Sequence, residues 1–161
     1  MDLSLETVKT QVDLLHAAGR NIPALLLSGP PGVGKTYTGK EFQKKLNARY
    51  KYVACSRINK NIIDEIDEFC CSSLSNLNFM LDETQYDMVH LDEIDQFGQA
   101  GEQLRELMNK YADTVFFFAT TNYPEKIPRG LKDRFLHAKL SDNVSLRQNK
   151  LMEELFLAQH H

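Results

Sequence analysis

The chain has 161 residues, 42% of them hydrophobic and 25% charged, with a formal net charge of −3. That length suits one domain with a buried core, and the balance is that of a globular rather than a disordered protein. A slightly acidic chain has no global basic field, so any contact with nucleic acid needs a local patch or lysines pooled across subunits. Leu5, Val8, Val12 and Leu15 recur at helical spacing, and Gly19 closes that helix. The continuous apolar run Ala24 to Ser28 predicts a strand covered on both faces, as in a parallel sheet. A helix is expected from Lys35 to Ala48, a second strand from Tyr50 to Cys55, and a helix carrying Ile62, Ile66 and Phe69. Ser72 to Gln85 reads either as a loop or as a short helix on Leu74, Leu77 and Leu81. A third strand follows at Asp87 to Asp92, and Leu104, Leu107, Met108 and Tyr111 stripe one face of a helix. Thr114 to Ala119 and Leu136 to Leu140 are the last two strands, and Ser145-Leu-Arg-Gln148 is a capping-box start for a final helix. Strands alternating with helices predict an α/β fold with right-handed crossovers.

Cys55, Cys70 and Cys71 have neither the paired spacing of a zinc site nor the even count of a disulfide framework. They read as reduced, buried side chains of an intracellular protein. Asp2 and Glu6 flank the early apolar residues, so no signal peptide is expected, and Val115 to Ala119 is too short to span a membrane.

Chemistry concentrates after the first strand. Gly29-Pro30-Pro31-Gly32-Val33-Gly34-Lys35-Thr36 fits G-x-x-x-x-G-K-[ST], the P-loop. Its glycines let backbone amides turn towards phosphate oxygens, and the helix starting near Lys35 adds its positive dipole end. The Lys35 ammonium can reach the β- and γ-phosphates and the Thr36 hydroxyl can ligate Mg²⁺, so the cradle is read as Gly29 through Tyr37. Asp92 and Glu93 end the third strand. There Asp92 can hold the ion and Glu93 can orient and deprotonate an attacking water. Asn122 follows the fourth strand, within reach of a γ-phosphate or that water. Arg134, on an expected short helix before the last strand, gains a role only in a ring, where one subunit's flank faces its neighbour's nucleotide.

These motifs, in this order, resemble the AAA+ ATPases, and among them the small subunits of sliding-clamp loaders of the replication factor C kind. "NIPALLLSGPPGVGKT", "LRELMNKY" and "TNYPEKIPRGLKDRF" carry the likeness over about residues 20 to 140. The resemblance implies a P-loop NTPase of RecA-like type, with a five-stranded parallel sheet in the order 5-1-4-3-2 and helices on both faces. It implies ATP and Mg²⁺ as cofactors and ATP hydrolysis as the reaction. Lys35 and Thr36 become the Walker A pair, Asp92 and Glu93 Walker B, Asn122 sensor 1, and Arg134 an arginine finger acting in trans. Thr36 and Asp92 are the expected metal ligands. Residues 1–142 form the expected nucleotide-binding domain, and 143–161 the first helix of a truncated or missing helical lid. Partners implied are a ring-forming homo- or hetero-oligomer, DNA and a sliding clamp, with no membrane, in the cytoplasm or, in a eukaryote, the nucleus.

Other machines of the family compete: helicase loaders, and protein-remodelling or protease-associated ATPases. Threading machines use an aromatic–hydrophobic–glycine pore loop, and this chain has no glycine between Gly39 and Gly98. A GTPase needs N-K-x-D; Asn59-Lys60-Asn61-Ile62 and Asn109-Lys110-Tyr111-Ala112 lack the acid. A nucleotide kinase needs an acceptor site and lid arginines, which the motifs do not supply. Arg57 and Lys60 read either as phosphate contacts for DNA or as a solvated helix end.

Overall fold

The computed structural model describes residues 3–75 and 86–140, together with Leu155 and Ala158. Ser4 starts helix α1 (Leu5–Ala17), its Oγ accepting the Thr7 N–H at 3.2 Å. Gly19, at φ 65°, ends it. The Arg20 N–H returns to Leu15 O at 2.9 Å and the Gly19 N–H to His16 O at 3.1 Å, the Schellman pattern that only a left-handed residue permits cheaply. Strand β1 (Leu25–Ser28) feeds a glycine-rich turn and then α2 (Lys35–Leu46). That helix stops two residues before the expected Ala48, because Asn47 takes the left-handed conformation at φ 47°.

Strand β2 (Arg49–Ala54) begins one residue earlier than the sequence pattern suggests. The reason is a side chain: Arg49 pairs in register with Asp87 and grips its carboxylate with two bonds, Nε to Oδ1 at 2.9 Å and Nη2 to Oδ2 at 3.1 Å. Helix α3 (Ile62–Ser75), strand β3 (Asp87–Asp92), helix α4 (Gly101–Lys110), strand β4 (Val115–Thr121), the short helix α5 (Arg129–Lys132) and strand β5 (Leu136–Lys139) follow. Strand β4 runs two residues past the expected Ala119, since Thr120 and Thr121 pair with Leu27 and Ser28. The ambiguous stretch Ser72 to Gln85 is helical as far as Ser75, and residues 76–85 lie outside the described ones. The lid helix expected within 143–161 lies outside them too, save Leu155 and Ala158, which are helical and exposed.

The strands are all parallel and ordered β2-β3-β4-β1-β5, the expected order read from the other edge. Alternate strand residues feed two cores. Leu25, Leu27, Met88, Phe116 and Phe118 pack under α1 and α2 with Val8, Val12, Phe42 and Leu46. Leu26, Val53, Val89, Leu91 and Phe117 pack under α3 and α4 with Ile66, Cys70, Leu104 and Met108. Coverage on both faces is why β1 and β4 are apolar without alternation. Cys55 and Cys70 are buried as expected; Cys71 is exposed, because it falls on the solvent side of α3.

Candidate functional site

The loop between β1 and α2 curls over the carboxyl end of the sheet. Its shape needs glycine at particular places. A methyl on Gly29 would sit 2.6 Å from Leu140 O and 3.3 Å from a methyl of Val33, so the loop base tolerates only a hydrogen. Gly32 (φ 81°) and Gly34 (φ 94°) lie in the left-handed region, where a side chain is strained even with open space around it.

Lys35 opens α2, and its side chain is buried, with 8% of the residue exposed. Its Nζ donates to Gly29 O and Pro30 O, each at 2.8 Å, which ties the ammonium to the loop it follows. Burial lowers its pKa from the ordinary lysine value; the nearby charges of Asp92 and Glu93 act in the other direction. Thr36 Oγ1 points across to the tip of β3 and donates to Asp92 Oδ1 at 3.4 Å.

Asp92 is ringed by hydroxyls. Thr120 Oγ1 donates to its Oδ1 at 2.5 Å and Tyr52 OH to its Oδ2 at 2.5 Å. Burial alone would raise the Asp92 carboxyl, but these bonds, the neighbouring His90 and the Thr36 bond hold it below the usual carboxylate range. Glu93 follows in the left-handed conformation (φ 57°), a strained setting for a residue with a side chain, and its N–H donates to Thr120 Oγ1 at 3.2 Å. Thr121 Oγ1 donates to Asp95 Oδ1 at 2.6 Å and accepts the Tyr123 N–H at 3.0 Å. These two bonds frame the turn that carries Asn122.

A cavity of about 380 Å³ lies among these groups. Pro31, Gly32, Gly34, Lys35, Thr36 and Tyr37 form one side of it; Asp92, Glu93 and Asn122 come from the sheet side. Gly29 and Pro30 reach it through the Lys35 ammonium, and Val33 packs over Gly29 instead of facing it. Arg134 is not brought here. It lies in the exposed turn after α5 instead of on the helix expected for it, just before Leu136, which pairs with the start of β1. The loop follows the end of β1, so a strand's length separates the two. Arg57 and Lys60 are exposed ahead of α3.

Sequence reasoning passed over Tyr52, Thr120, Thr121 and Asp95. Thr120 and Thr121 were legible as polar residues ending an apolar strand. Tyr52 was not: its contact with Asp92 depends on the β2–β3 register, which sets Tyr52 opposite His90 and Ala54 opposite Asp92. A hydroxyl and one carboxylate facing each other beside the glycine loop are hard oxygen donors. They suit a magnesium ion, which takes few protein ligands and fills its shell with phosphate and water oxygens. Among the described residues no group of three or more His, Cys, Asp or Glu converges. None of their helices is long and apolar enough to cross a membrane.

The profile of the family described as "ATPase family associated with various cellular activities (AAA)" matches residues 25–141. A replication factor C small subunit from Methanocella arvoryzae is 32% identical over 117 residues, covering 71% of this chain and 36% of that protein. A Lon protease from Amoebophilus asiaticus is 33% identical over 145 residues, covering 70% of this chain and 16% of that protein. The chain thus spans about a third or less of the length of these relatives. A RuvB variant from Thermotoga maritima shares the fold, with a TM-score of 0.62 at 20% identity, over 86% of this chain and 45% of that one. Sheet order, loop and family profile agree: the chain belongs to the AAA family of ATPases and resembles the small subunits of clamp loaders.

Proposed function

We propose that this chain binds ATP with magnesium in the cavity beneath the glycine loop and hydrolyses it at an interface between subunits, driving a DNA-linked assembly of the clamp-loader kind. The observation that carries the reading is the convergence of Lys35, Thr36 and Asp92 on one cavity beneath the glycine loop. In this reading the α2 amides and the Lys35 ammonium hold the β- and γ-phosphates. Thr36 and Asp92 hold the magnesium, which when bound neutralises charge on the transferring phosphoryl group. Glu93 sits at the strand tip, where its carboxylate takes the proton from the attacking water, and Asn122 orients that water from the adjacent strand. Arg134, exposed and remote from its own cavity, serves the cavity of a neighbouring subunit; such arginines are worth about 10³–10⁵ in rate. The module works in the cytoplasm or nucleus, on DNA and a ring-shaped clamp.

The similarity to a Lon protease supports a second reading, a protease-associated or protein-remodelling machine. Turnover of the oligomeric protein separates them. Stimulation by primed DNA with a sliding clamp is the expected result. Stimulation by an unfolded protein alone moves the assignment to the second reading, and failure to bind a fluorescent ATP analogue with Mg²⁺ removes both.

A further inference from the structure

The geometry points to Tyr52 as a positioning residue for the magnesium-holding carboxylate, an inference that rests on the nucleotide reading above. Strand β2 is the edge of the sheet, and Ala54, the Cα partner of Asp92, offers only a methyl. The carboxylate oxygen turned towards that edge, Oδ2, is taken instead by the Tyr52 hydroxyl from two residues earlier, at 2.5 Å. The other oxygen, Oδ1, accepts from Thr120 at 2.5 Å and from Thr36 at 3.4 Å.

A carboxylate bonded on one oxygen alone is free to swing about its Cβ–Cγ bond; bonded on both, it presents Oδ1 to Thr36 in one orientation. The phenol is itself held. Its ring meets the His90 ring edge-on at 5.1 Å, His90 meets Phe118 at 4.9 Å, and both pack where Gly39 of α2 lacks a side chain. The helix that carries Thr36 therefore also fixes, through His90, the tyrosine that aims Asp92. Tyr52 touches neither nucleotide nor metal in this role. It acts through Asp92, as residues bonded to a metal's ligands do.

The experiment is a magnesium titration of binding of a fluorescent, slowly hydrolysed ATP analogue, with wild type and Tyr52→Phe compared. Phenylalanine keeps the ring against His90 and deletes only the hydroxyl. Tyr52→Phe is expected to need about ten-fold more Mg²⁺ for half-maximal strengthening of binding, the lower end of effects seen when a ligand's hydrogen-bond partner is removed. Its affinity in EDTA and its urea midpoint should match wild type. A half-saturating Mg²⁺ concentration equal to wild type overturns the inference and leaves the nucleotide reading standing. Equal weakening with and without Mg²⁺ overturns it too, because a merely structural tyrosine would behave so. Wild type that ignores Mg²⁺ altogether overturns the nucleotide reading and this inference with it.

Discussion

His90 shows how one side chain couples stability to the site. It is fully buried in β3, and its Nδ1 shares a 2.6 Å hydrogen bond with Tyr50 OH. Burial pushes its pKa down to about 4 from 6.5; the Asp92 charge pulls it up and Lys40 adds a smaller downward push. Between those two values the unfolded chain binds a proton that the folded chain refuses. Stability from His90 is therefore intact above pH 6.5 and is lost as pH falls towards 4, by about 2–4 kcal/mol. The depressed Asp92 carboxyl acts in the same sense, losing its contribution as pH falls through its folded value. Urea midpoints measured across that window should fall steeply for wild type and less steeply for His90→Gln; identical slopes would exclude His90 as the cause. At the same scale, Lys35→Ala should weaken nucleotide binding and turnover together. Glu93→Gln should spare binding and abolish turnover, giving a chain trapped with ATP, as equilibrium binding and single-turnover assays can show.

At the scale of elements, the position of α2 decides whether the site exists, because that helix carries Lys35 and Thr36 at its start and rests on the sheet through Gly39. A methyl at Gly39 would lie 2.6 Å from His90 Cε1 and 2.7 Å from Phe118 Cε1, both in the packed core. Gly39→Ala should cost about 1–3 kcal/mol through overpacking and weaken nucleotide binding as the helix lifts. Gly32→Ala is the control. It meets nothing within 4 Å, so its cost is the backbone strain of φ 81°, about 1–2 kcal/mol, confined to the loop. Urea unfolding of the pair should show Gly39→Ala the less stable whenever the loop relaxes locally; the reverse order would mean that the α2 contact is softer than the distances imply. The threonines that end β4 matter at this scale too. By extending the strand to Thr121 they place one hydroxyl on Asp92 and another on Asp95, so the strand that bears Asn122 also fixes the tip of β3.

In the whole molecule the cavity and Arg134 belong to different surfaces. The cavity opens at the carboxyl ends of β1, β3 and β4, while Arg134 precedes β5, at the opposite end of the sheet. The length of β1 lies between them, so one chain does not complete its own site under the proposed reading. Arg134→Ala should therefore lose turnover only in assembled protein. Mixing it with Glu93→Gln should restore part of the turnover, since some interfaces then pair an intact base with an intact arginine. Steady-state ATPase over a range of mixing ratios measures this, and a flat, inactive series would mean that Arg134 acts in cis or not at all.

The chain's own letters determined what can be written locally. Gly32 and Gly34 declare a left-handed loop, unbroken apolar runs at Leu25 to Leu27 and Phe116 to Phe118 declare strands covered on both faces, and Asp92-Glu93 declares an acidic strand tip. Each depends on the geometry of a few consecutive residues, which is why the strands and the phosphate loop were legible, whereas the order of the strands came from the family resemblance. Element ends were read less well where a partner far along the chain set them, as Asp87 does for Arg49 and β1 does for Thr120 and Thr121. Only the folded sheet decided that Tyr52 reaches Asp92 and that His90 links it to Gly39, whereas the place of Arg134 on the flank, away from its own cavity, was expected from the sequence. Those contacts join residues tens of positions apart through register and packing, which no local spacing encodes.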